Sequence, residues 1–167
     1  MSMIGNLLRV SKSELEQYLE NSSLLEKRVY TEEYIEDPDL LDLDKCWENI
    51  YFLLTGCTSS DFEKAKPPLS LILFNGIVLD ENQDMGYGPA TYSSLEEVKE
   101  ISNALPEVSR EKLRSKFESL KSKDSELYPF KQDSEDMFDY VFEYYTKMKE
   151  FYQIAAKNNQ AVISFIN

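Results

Sequence analysis

Apolar residues recur at three- and four-residue spacing through residues 43–54, where Cys46, Trp47, Ile50, Tyr51, Leu53 and Leu54 give a helix with a broad apolar face. Gly56 closes that helix. A longer helical period covers residues 133–158, the longest helix expected, with Met137, Val141, Tyr144, Met148, Phe151 and Ala155 as its buried stripe. The chain closes on AVISFI, a short run rich in β-branched and aromatic residues that predicts a strand. Residues 3–10 predict another strand at the opposite end.

Punctuation between these runs places the remaining elements. Ser11 and Ser13 offer N-caps to a helix ending near Asn21, with Leu15, Tyr18 and Leu19 on one face. Ser94-Leu95-Glu96-Glu97 is a capping box that opens a helix through Leu105. Pro106 interrupts, and Ser109 starts a further helix through about Leu120. Residues 90–93 read as a strand, and residues 69–74 as either a strand or a short buried helix. Asn75-Gly76 breaks that run, and residues 77–79 continue it. Residues 24–30 fit either state. The acid-rich stretch 32–44, which holds Pro38, predicts an extended, exposed loop. No repeat or linker divides the chain, so the pattern implies a single compact α+β domain over residues 1–167, with helices packed on a small sheet.

Composition narrows the chemistry. Hydrophobic residues make up 42% of the 167, with 11 Tyr and 9 Phe, enough for a real core. The longest apolar runs are too short to span a bilayer, and the N-terminus lacks the pattern of a secretory leader. A cytoplasmic location is the resulting expectation, in line with only two cysteines, Cys46 and Cys57, read as buried thiols. The net charge of −13 opposes nucleic acid and anionic membranes and favours a basic protein partner. The basic residues cluster between Arg110 and Lys123, interrupted by Glu111 and Glu118, which reads as a solvated helix face. The chain has no histidine, so Ser-His and Cys-His nucleophile pairs are excluded and no zinc, iron or other cofactor is expected.

Candidate ligand-binding residues are then few. Trp47 and Tyr51 share a helix face one turn apart and could line a pocket, although such pairs are more often core. Asp44 and Glu48 are also one turn apart and could face one ligand, but acids at this end of a helix usually serve as caps. Thr55-Gly56 and the turn Gly86-Tyr87-Gly88-Pro89, followed by Thr91 and Tyr92, form the most site-like combination, because glycine lets a backbone approach a ligand. The Gly-x-Gly precedes a proline and a strand, so it is not a dinucleotide or phosphate-loop signature.

Four segments, MSMIGNLLRVS, LDLDKCWENIYFLLTG, PLSLILFNG and GYGPATYSSLEEVKEISNAL, together with ELYPF, resemble the bacterial YfbM-like proteins, a domain of unknown function. The resemblance covers most of the chain. It implies a compact α+β domain and no particular substrate. It also marks two departures: Tyr51 stands where the family often has His, and Thr91 where it often has Arg. A site built on that pair would be impaired here.

Two functional expectations follow. The first is an acidic protein-interaction module, of inhibitor or immunity type, covering a basic surface on its partner. The exposed stretch 32–44 would contribute most to it. The second is a small-ligand binder or degenerate transferase-like enzyme, with a cleft joining Thr55-Gly56 to residues 86–93. Its basis is a loose similarity to the core of ADP-ribosyl-transferring folds.

Overall fold

In the computed structural model, which describes residues 3–31, 36–121 and 135–167, five strands build one antiparallel sheet. They are β1 (Gly5–Val10), β2 (Leu40–Asp42), β3 (Ile77–Val78), β4 (Thr91–Ser93) and β5 (Ala161–Ile166), in the order β2-β1-β5-β4-β3. The two terminal strands are thus the central pair, with Gly5 opposite Ile166 and Val10 opposite Ala161. Both carry apolar side chains on successive positions because both faces of the sheet are covered.

The covers come from different parts of the chain. On one face, Leu7 and Val162 meet the apolar stripes of α3 (Trp47–Thr55), α4 (Leu95–Ala104), α5 (Arg110–Lys121) and α6 (Glu135–Lys157). On the other, Leu8, Val10, Ile163 and Phe165 meet α1 (Lys12–Glu20), α2 (Ser23–Val29) and the loop side chains Leu79 and Met85. The helix starts follow the predicted chemistry. Ser11 with Glu14, and Ser94 with Glu97, form complete capping boxes.

Several expected elements differ in detail. The helix expected over residues 43–54 begins as a 3-10 turn, Asp44–Cys46, and becomes α-helical only at Trp47. Asp44 opens that turn in a left-handed conformation (φ 51°), and Cys46 rather than Asp44 stands at the N-cap of α3. Of the two states open to residues 69–74, the short helix is the one found, as the 3-10 turn Leu69–Ile72 rather than an α-helix. The buried stripe of α6 holds Val141, Met148, Phe151 and Ala155 as expected, with Tyr152 beside them, but at two places the neighbour takes the core position: Phe138 and Tyr145 are buried, while Met137 and Tyr144 are only partly covered. Leu19 is exposed rather than in the core, because α2 covers only part of α1. Residues 24–30, ambiguous in sequence, are mostly the short helix α2. Glu32, Glu33 and the ELYPF motif lie outside the described residues.

Candidate functional site

The segment 69–73 is buried or half-buried and belongs to no sheet or α-helix, so its carbonyls need partners from outside any ladder. Four successive ones receive side-chain hydroxyls. Tyr51 donates to the Ser70 oxygen (3.3 Å), Ser93 to Leu71 (3.1 Å), Tyr152 to Ile72 (3.0 Å) and Ser164 to Leu73 (3.0 Å). Thr91 joins this row through its hydroxyl, 2.9 Å from that of Ser164. Burial pushes the Tyr51 and Tyr152 phenols above their ordinary pKa, so both remain neutral donors. Tyr51 is fully buried, with its ring edge-on to Phe74 (4.9 Å between centroids). Tyr51 and Thr91 therefore sit in a hydroxyl cradle that fixes an internal segment.

Trp47 has a comparable place. Its indole N–H donates to the Met3 carbonyl (3.0 Å), and its Cβ lies where a side chain on Gly5 would be, 2.5 Å from such an added carbon. Gly5 is required by that close approach. Asp44 and Glu48, which could have shared a ligand, are each engaged elsewhere. Asp44 accepts from the Tyr140 hydroxyl (2.6 Å), and Glu48 accepts from the Ser59 N–H and hydroxyl. Burial, with Asp44 nearby, pushes the Cys46 thiol up, and both cysteines are free and buried.

The groove at Thr55 is lined by no residue of 86–93. Thr55 ends α3, its hydroxyl donating to the Tyr51 carbonyl (2.8 Å), and it lines a groove with residues from 64–69 and 104–116. Gly56 follows with a left-handed backbone (φ 76°). Gly86 instead packs on the C-terminus: at φ 120° its added Cβ would lie 2.9 Å from Cα of Asn167. The Tyr87 N–H donates to the Ile166 carbonyl (3.1 Å), and Tyr92 packs with Leu8 and Ile163 on the α1–α2 side of the sheet. The sheet thus separates Tyr92 from Trp47 and Tyr51.

The acid-rich stretch also departs from expectation, because its described part is tied down. Arg28 Nε donates to Asp37 (2.8 Å), and its Nη1 reaches Glu14 (3.2 Å) and the Tyr18 hydroxyl (3.1 Å). Arg9 pairs with Asp39 (3.2 Å) and donates to the Pro38 carbonyl (2.7 Å). Burial works against the Asp37 carboxylate. The Arg28 hydrogen bond and the Asp39 N–H outweigh it and hold its pKa below the ordinary 3.8. A carboxyl that ionises more easily when folded contributes stability above its unfolded pKa and loses it as pH falls further. Asp37→Asn should therefore lower stability at pH 7 by about 1 kcal/mol. It should also flatten the loss of stability below pH ~4, as read by urea unfolding across pH. An unchanged pH profile would refute the pairing.

Sequence reading missed a surface where acids and aromatics gather on an ordered frame. Tyr30 and Tyr87 are exposed at 45% and 42%. The Tyr30 hydroxyl donates to the Met85 carbonyl (2.6 Å), and its ring meets Phe165 edge-on. Burial, with Glu26 and Asp84 nearby, raises the Tyr30 pKa. Around these rings stand Asp80, held by the Ser22 hydroxyl (2.6 Å), and Asp84, whose Oδ1 accepts the N–H groups of Gly86 and Gly88 (2.9 and 3.2 Å). Buried Gln83 ties the loop to α2 through the Ser22 carbonyl and Glu26 (3.1 and 3.2 Å), leaving Glu81 in solvent. Only Gly86 and Tyr87 gave a sequence signal, because α2 and this loop lie some fifty residues apart.

A family model described as a domain of unknown function (DUF1877) matches residues 1–165. The chain belongs to this family. Among solved structures it is similar to YfbM from Escherichia coli, titled a protein of unknown function, with 20% identity, a TM-score of 0.71, and 98% of this chain and 99% of that one covered. At that identity the likeness shows the fold alone. No curated protein matches the chain. Among the described residues, no helix is long and apolar enough to cross a membrane, and no three His, Cys, Asp or Glu side chains group to hold a metal ion.

Proposed function

We propose that this member of the family is a protein-interaction module whose acidic–aromatic surface, formed by α2 and the loop 80–88, engages a basic protein. The observation that carries this reading is the pre-ordered surface itself. Tyr30 and Tyr87 are exposed, yet Tyr30 is held by its backbone N–H and its hydroxyl, and Tyr87 by its backbone N–H, so little ordering entropy is lost on binding. Tyrosine offers a wide contact area with few rotatable bonds. Asp80, Glu81 and Asp84 supply the charge that selects a basic partner and speeds encounter, within a chain of net charge −13. An inhibitor- or immunity-type role, in which the surface covers a basic active site, fits this chemistry. A ligand cleft joining Thr55 to the Gly86 turn has less support, because the groove at Thr55 includes no residue of 86–93.

The test uses the intact protein and an E81Q/Y87A double variant, immobilised side by side and exposed to lysate of the source cells. Neither substitution removes a side-chain hydrogen bond described above. A basic protein retained by the wild type, released by salt and lost by the variant is the expected result. Equal retention by both, or retention of only acidic proteins, would reject the surface.

A further inference from the structure

A groove of about 580 Å³ runs between the end of α3, the segment 64–69 and the α4–α5 connection. Its charge is opposite to that of the molecule. Lys64 and Lys66 stand on one wall and Lys112 and Lys116 on the other, with Glu107 the one carboxylate in the lining. Two of these ammonium groups are positioned by backbone: Lys112 Nζ donates to the Glu107 carbonyl (3.1 Å), and Lys116 Nζ to the Leu53 carbonyl in the last turn of α3 (2.9 Å). Each keeps two further protons for a ligand. Lys64 has Asp61 at 3.9 Å. Among the described residues, no carboxylate pairs with Lys66, Lys112 or Lys116. The basic cluster expected as one solvated face is thus two faces of α5. Arg110 and Arg114 lie over the Phe138 ring, and Lys112 and Lys116 turn to the groove.

We propose that this groove binds a phosphate monoester carrying an apolar limb. Four ammonium groups facing each other across a concave surface focus a positive field where the rest of the chain is negative. Lysine binds phosphate as a compact point charge, and several such charges are matched better by a phosphate monoester, at about −1.5 to −2 near pH 7, than by a single carboxylate. The floor supplies the rest: Leu54, Pro67, Leu69 and Val108 give apolar surface beside the charged rim. This site is separate from the acidic–aromatic surface and does not depend on the reading given for it.

Titrating the ¹⁵N-labelled full chain with phenyl phosphate tests the proposal. Saturable shifts at the amides of Leu54, Thr55 and Val108 are expected, with inorganic phosphate and benzoate each binding about tenfold more weakly. Lys112→Met with Lys116→Met should weaken phenyl phosphate binding about tenfold. If loss of the Lys116 bond to α3 unfolds that variant, Lys66→Met with Lys112→Met carries the same expectation, since among the described residues the Lys66 side chain makes no hydrogen bond or ion pair. No saturable shift at the groove, or undiminished binding by a folded lysine variant, would overturn the site. Equal binding of benzoate would overturn the assignment to phosphate, and equal binding of inorganic phosphate the role of the apolar floor.

Discussion

Removal of residues 161–167 should abolish soluble folding. β5 is not a terminal ornament but the middle of the sheet, hydrogen-bonded to β1 on one side and β4 on the other. Val162 faces α3 and α6, while Ile163 and Phe165 face α1 and α2, so one strand joins both cores. Burying those three side chains contributes roughly 5–8 kcal/mol, comparable with the whole stability of a domain this size. Deletion also exposes two unpaired strand edges, which invites aggregation. Soluble yield and far-UV circular dichroism check this directly. A truncated protein with an unchanged melting transition would refute the topology.

The second large effect is expected at Tyr51. Tyr51→Ala should cost about 4 kcal/mol, because it opens a cavity beside Phe74 and leaves the Ser70 carbonyl without its hydroxyl. Tyr51→Phe keeps the ring and should cost only about 1 kcal/mol, the value of one buried hydrogen bond. Denaturant midpoints separate the two. If Tyr51→Ala were as stable as the parent, the residue would line open space, and a pocket on that helix face would be back in consideration.

The elements that could be read from sequence are those whose signals are local. A capping box marked the helix start at Ser94, Ser11 was one of two caps offered to α1, and Trp47 to Leu54 carried its own apolar period. What could not be read depends on distant partners. The 3-10 turn at Leu69–Ile72 is stable because hydroxyls from α3, α6, β4 and β5 reach its carbonyls, and none of those residues is near it in sequence. The stripe of α6 held at Val141, Met148, Phe151 and Ala155 and failed at two positions, because aromatics occupy several faces of the helix and Phe138 and Tyr145 take the core places expected for Met137 and Tyr144. The acids Asp37 and Asp39 looked free because Arg28 and Arg9 meet them only after folding. Of the candidate residues, Trp47, Tyr51, Thr91 and Tyr92 are packed into the fold, Thr55 borders the lysine groove, and Gly86 and Tyr87 shape the acidic–aromatic surface.

That division of labour can be measured in one paired comparison. E81Q/Y87A and Tyr51→Phe are assayed together for melting temperature and for retention of the basic protein that the parent captures. The account predicts opposite outcomes: E81Q/Y87A melts with the parent and loses the partner, whereas Tyr51→Phe melts a few degrees lower, about 2–5 °C, and keeps it. Partner binding lost with Tyr51→Phe and preserved in E81Q/Y87A would contradict the account and return the binding site to the face of α3.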